Sequence, residues 1–115
     1  MKTVVVRLAK HSYSILVGEG LLRSAGALLR RKGFDNPPIV VTNRTVLDLH
    51  GKPLLRSLQD SFENVEVIVI GDGERYKNHA TLLQIYRKML HAHANRRSWI
   101  LAFGGGVVGD IAGFA

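Results

Sequence analysis

An α/β fold with a Rossmann-like, mostly parallel sheet is the class this sequence predicts, on three observations. Short runs rich in Val and Ile alternate with longer segments whose apolar residues recur every three or four positions, giving the order strand, helix, strand, helix, strand. Each of these strand candidates ends in a polar or glycine-bearing turn, at Asn43, at Gly71-Asp72-Gly73 and at Gly104-Gly105-Gly106. The 115 residues are 46% hydrophobic and 22% charged, the balance of one packed domain rather than of a disordered or membrane chain.

The elements follow in order. Thr3 to Leu8 and Tyr13 to Val17 flank Ala9-Lys10-His11-Ser12 and read as an N-terminal β-hairpin, which Gly18-Glu19-Gly20 ends. Leu21, Leu22, Ala25, Leu28 and Leu29 put one apolar stripe on a helix that Gly33 terminates. Pro37-Pro38 leads into a strand from Ile39 to Thr42. A helical stretch then runs to about Phe62, with a break expected near Gly51 to Pro53. Val65 to Ile70 is the next strand. Leu82, Ile85, Tyr86, Met89, Leu90 and His93 form the cleanest helical stripe, and Ser98 to Phe103 reads as a buried strand running into the triple glycine. Asp110 to Ala115 reads as a helix just begun, so residues 1–115 are expected to be the first part of one nucleotide-binding domain, incomplete at its C-terminus.

Composition excludes several function classes. The longest apolar runs, such as Val67-Ile68-Val69-Ile70, fall far short of the roughly 20 residues of a membrane-spanning helix, so no membrane partner is expected. No secretory pattern follows Lys2, and the absence of cysteine removes disulfides and thiol chemistry; the cytoplasm is the expected address. A net charge of +7 raises the question of nucleic acid. The densest clusters, Arg30-Arg31-Lys32 and Arg96-Arg97, fall at expected helix ends, where cations complement the helix dipole, and no nucleic-acid motif accompanies them. Nucleic acid is therefore not an expected partner.

Chemistry concentrates where strands end, because ligands of open parallel sheets bind at the strands' carboxyl ends. Gly104-Gly105-Gly106-Val107-Val108-Gly109-Asp110 follows a strand and opens a helix, so its backbone can approach a diphosphate and offer it unpaired N–H groups. It departs from the usual G-x-G-x-x-G spacing, and a tight turn that simply needs glycines is the competing reading. Asp72-Gly73-Glu74-Arg75-Tyr76-Lys77 falls on the same edge; an acid there can accept from ribose hydroxyls and a lysine can meet phosphate, whereas the plainer reading is a capped turn. Asn43 is either a ribose or adenine ligand or a helix cap. His91 and His93 stand two apart on a helix, about 200° around it, and cannot chelate one ion; no metal site is read in this chain.

These segments, together with Tyr13-Ser14-Ile15-Leu16-Val17-Gly18-Glu19-Gly20 and Arg97 before Leu101 to Ala115, resemble 3-dehydroquinate synthases in order and spacing along the whole chain. The resemblance implies an NAD-binding N-terminal domain and an absent helical domain that supplies most substrate contacts and the ligands of a zinc or cobalt ion. It implies a phosphate-eliminating cyclase of the shikimate pathway that converts 3-deoxy-arabino-heptulosonate 7-phosphate, a phosphorylated sugar acid, to 3-dehydroquinate. A homodimer is expected for the full-length enzyme, and no activity for this chain alone. Asn43 would meet the adenosine ribose, and Asp72, Gly73, Glu74 and Lys77, with Arg75 and Tyr76 between them, would line the cofactor's ribose and phosphate path. Gly105, Gly106 and Val107, continued by Val108, would pack on the diphosphate, with Gly109 and Asp110 toward the nicotinamide. Arg75 stands where the family often has Gln. Another sugar-phosphate cyclase, such as a 2-deoxy-scyllo-inosose synthase, shares the acid-Gly-Glu turn and the triple glycine. Glycerol-dehydrogenase-like relatives match less well, and a noncatalytic nucleotide- or nucleic-acid-binding module is the alternative from a different class.

Overall fold

Eight elements follow one another in a computed structural model that describes residues 2–7, 12–18, 20–73, 75, 77–91, 98–106, 108–109 and 111. They are β1 (Lys2–Arg7), β2 (Ser12–Val17), α1 (Leu21–Arg31), β3 (Pro38–Asn43), α2 (Arg44–Ser61), β4 (Glu66–Ile70), α3 (His79–His91) and β5 (Trp99–Phe103). The expected hairpin is present: β1 and β2 pair antiparallel from Lys2 opposite Val17 to Arg7 opposite Ser12, and form a sheet of their own. Leu8 and the turn residues 9–11 lie outside the described residues.

The other three strands make a parallel sheet in the order β4-β3-β5. The chain moves from β3 to β4 on one side and then crosses back to β5 on the other. Right-handed crossovers in opposite directions put their helices on opposite faces, and side-chain alternation along β3 serves both. Ile39 and Val41 pack with Ile68, Ile70 and Ile85 under α3, whereas Val40 packs with Leu54, Leu58 and Phe62 under α2, with α1 beside it. A middle strand covered on both faces has no polar side, which is why Ile39, Val40, Val41 and Thr42 are all at most 4% exposed.

Three expectations need correction. First, α2 is one unbroken helix through Gly51 and Pro53. A mid-helix Gly costs about 1 kcal/mol and a Pro about 3 kcal/mol, but burying Leu54 and Leu58 on the sheet returns about 1.5–3 kcal/mol each. The carbonyl that Pro53 leaves unpaired belongs to Leu49, on the exposed side of the helix. Second, β5 is half-buried, not buried, and Ala102 is exposed, because β5 is an edge strand of the sheet. Third, the stripe on α3 is narrower than its sequence pattern. Thr81 and Ile85 are buried and Leu82 and Met89 partly so, while Tyr86 and Leu90 are exposed, the three-strand sheet being too narrow to cover them.

Helix α1 packs alongside α2 and comes close to it at Gly26. Its N–H donates to Ser57 Oγ at 2.8 Å, and a Cβ there would overlap the Ser57 carbonyl oxygen and lie 2.7 Å from Ser61 Oγ. One turn later the Arg30 guanidinium lies 4.7 Å from the centre of the Phe62 ring and donates to the Ser61 carbonyl at 2.9 Å. It also pairs with Asp35 at 3.7 Å. Trp99 stacks at 4.4 Å on Phe34 and donates through Nε1 to the Asn36 carbonyl at 2.7 Å, tying β5 to the loop before β3. Arg30 and Arg31 thus occupy the last turn of α1, as the helix-end reading expected; Arg96 and Arg97 lie outside the described residues.

A Gly26→Ala substitution is expected to force α1 off α2 and destabilise the chain by about 1–3 kcal/mol in urea denaturation, as overpacked sites do. An unchanged midpoint would show that the two helices are not in this contact.

Candidate functional site

The parallel register brings three strand ends to one edge. Asn43, the last residue of β3, lies opposite Ile70 of β4, and Thr42 lies opposite Phe103 of β5. Asn43, the Gly71-Asp72-Gly73 turn and the Gly104-Gly105-Gly106 run therefore sit side by side. They form an open ledge: Asn43 is half-buried, and Asp72, Gly73, Gly105, Gly106 and Gly109 are exposed.

Each position has local causes. Asn43 Oδ1 accepts from the Val46 N–H at 2.8 Å, which caps α2. The capping role of Asn43 is thus realised, while its Nδ2 has no hydrogen-bond partner among the described residues. Asp72 Oδ2 accepts from Thr45 Oγ1 at 2.9 Å, which ties the β4 turn to the first turn of α2. Gly73 has φ 96°, the left-handed region, so the turn itself requires glycine. Arg75 and Lys77 are exposed on the way to α3. Asn78 begins that helix, its Oδ1 accepting from the Thr81 N–H at 3.0 Å and its Nδ2 donating to the Arg75 carbonyl at 2.7 Å.

The glycine run divides into two kinds of residue. Gly104 has φ 156°, and a Cβ on it would lie 2.9 Å from Val108 Cγ2, so the fold needs glycine there. Val108 is 1% exposed and packs in the core with Ile39 and Ile85, so its side chain faces away from the ledge. Gly105, Gly106 and Gly109 have no φ in the left-handed region, and a Cβ on any of them would meet nothing within 4 Å among the described residues. The described residues give these three no steric reason to be glycine. A surface that another molecule must approach closely does give one, and the donor set fits a diphosphate: exposed backbone at the start of a helical turn, in which the Gly109 N–H reaches the Gly105 carbonyl at 3.1 Å.

Glu74, Tyr76, Val107 and Asp110, four of the residues singled out from the sequence, lie outside the described residues, as do His11 and His93. His50, His79 and His91 are exposed, and among the described residues no three His, Asp or Glu side chains are grouped to hold a metal ion. No helix is long and apolar enough to cross a membrane, again among the described residues. Sequence reasoning missed two polar residues of this edge. Asn78 carried a legible signal, an Asn just before an apolar helical stripe; Thr45 carried none, because its partner is 27 residues away.

An Asn43→Ala substitution is expected to remove the α2 cap and lower stability by about 0.5–2 kcal/mol, while Asn43→Asp keeps most of it. Thermal unfolding checks both, and equal loss in the two variants would contradict the capping role.

The comparisons with known proteins agree with this architecture. The 3-dehydroquinate synthase N-terminal family matches residues 67–115. A 3-dehydroquinate synthase of Pelobacter propionicus is 40% identical over 115 residues, covering 100% of this chain and 32% of its own length. That of Pelotomaculum thermopropionicum is 43% identical over 114 residues, covering 99% and 31%. The chain thus spans about a third of the length of the curated relatives it matches. A crystal structure of 2-deoxy-scyllo-inosose synthase superposes with a TM-score of 0.83 at 26% identity, over 97% of this chain and 31% of the other. A second, complexed with carbaglucose-6-phosphate, NAD+ and Co2+, gives 0.78 at 25% identity over 97% and 30%. By sequence and by fold, the chain is similar to 3-dehydroquinate synthases over about a third of their length, and its residues 67–115 match that family's N-terminal region.

Proposed function

We propose that the strand-end ledge binds NAD, and that residues 1–115 are the front part of the NAD-binding domain of a 3-dehydroquinate synthase. The observation that carries this is the set Gly105, Gly106 and Gly109, at which a Cβ would meet none of the described residues, on the edge where parallel sheets bind nucleotides. Gly105 and Gly106, with Val107 and Val108, would hold the cofactor's diphosphate. Asp72, held by Thr45, keeps its second carboxylate oxygen for a ribose hydroxyl, and Asn43 offers Nδ2 to the adenosine ribose. Gly73 lets the chain pass close to the cofactor, and Glu74, Arg75, Tyr76 and Lys77 continue the ribose and phosphate path. Gly109 and Asp110 reach toward the nicotinamide.

When bound, NAD supplies a reversible oxidation of the substrate that makes phosphate elimination possible. The residues of this chain bind and orient the cofactor for that step. The divalent metal, zinc or cobalt, and most of the phosphorylated sugar-acid substrate belong to the part of the relatives that this chain does not cover. The full-length enzyme is read as a cytoplasmic homodimer. A second reading, another sugar-phosphate cyclase, rests on the close superposition with 2-deoxy-scyllo-inosose synthase. The 40% and 43% identities to 3-dehydroquinate synthases favour the first.

Calorimetric titration of NAD into the chain is expected to show saturable binding that Gly105→Val weakens at least about tenfold, a loss of about 1.4 kcal/mol. Equal binding by the variant would put the nucleotide elsewhere, and no binding by the parent chain would show that the ledge alone does not hold it.

A further inference from the structure

Away from the ledge, α1 and α2 border an open groove of about 460 Å³ lined by Arg23, Lys52, Pro53, Arg56, Ser57 and Asp60, whose charged side chains are exposed. Lys52, Arg56 and Asp60 recur every four residues, so they share one face of α2, and Arg23 borders the groove from α1. Three cations thus converge on one concavity against a single acid. Among the described residues, none of the three makes an ion pair or hydrogen bond with another side chain. Neighbouring cations in one groove repel each other, and the first turn of α1 carries no acid to offset them.

The reading that accounts for Arg30 and Arg31 does not extend to this cluster. Arg23 lies in the first turn of α1, where a cation opposes the helix dipole, and Lys52 lies in the middle of α2. These positions bring the chain no evident stability, whereas two guanidinium groups and an ammonium along one groove are a donor set that suits phosphoryl oxygens. A second open groove, of about 670 Å³, adjoins the first through Arg23 and Pro53 and is lined by Gly18, Gly20, Leu21 and Leu22, which leaves room for the uncharged part of a ligand.

We infer that this α1–α2 groove is a binding site for a small anion carrying two or more phosphoryl groups, separate from the strand-end ledge and sharing no residue with it. The inference does not rest on the cofactor reading. Inorganic pyrophosphate, titrated into the full chain and followed by calorimetry, is the probe. The double variant Arg23→Gln/Arg56→Gln is expected to bind at least about tenfold more weakly, since each charged hydrogen bond contributes about that factor. The charge-matched variant Arg87→Gln/Lys88→Gln on α3 is expected to bind as the parent does. Circular dichroism confirms that the substituted chains are folded. Equal weakening in the α3 variant would reduce the effect to overall charge and overturn the inference. Binding that Arg23→Gln/Arg56→Gln leaves unchanged, or no saturable binding at millimolar pyrophosphate, would also overturn it.

Discussion

Burial of β3 on both faces is the constraint on which the rest of this structure depends. Its alternating side chains feed two separate clusters, Ile39 and Val41 toward α3 and Val40 toward α2, so that one six-residue strand holds both helical layers. The flanking strands read their register from it. Slipping β4 or β5 by one residue would exchange their core-facing and opposite-facing sets, which a sheet covered on both sides resists. Fixed register is what levels Asn43, Ile70 and Phe103 and turns three separate loops into one edge.

On that edge, structure and function make different demands on the same residue types. Gly73 and Gly104 are glycine because the backbone turns there in ways a side chain resists. Gly105, Gly106 and Gly109 meet no such demand among the described residues. Asn43 and Asp72 each serve twice, since one oxygen of each is used inside the fold and other polar atoms remain facing the ledge. A site whose side chains are already held by the scaffold loses less entropy when a ligand arrives.

Much of this was legible in the sequence because it is local. Period and punctuation marked the strands and helices, and the glycine run marked the turn that ends β5. The parts that were not legible depend on neighbours distant in sequence. Pro53 reads as a break until Leu54 and Leu58 are seen buried against the sheet. The exposure of Ala102 follows from the place of β5 at an edge, and that of Tyr86 and Leu90 from the width of the sheet under α3, neither of which any local pattern encodes. Gly26 looked like an ordinary helical glycine, and only the approach of Ser57 explains it. The cations at Arg23, Lys52 and Arg56, separated by up to 33 positions, form a cluster only once α1 lies against α2.

The measurement that tests the account most directly is native-state amide hydrogen exchange, read residue by residue. If β3 organises the sheet and through it the ledge, the amides of Val40, Val41 and Thr42 will exchange slowest, at the rate set by global unfolding, and those of β5 and the hairpin at least about tenfold faster. Protection of β3 no greater than that of the hairpin would contradict the claim that this strand holds the structure together.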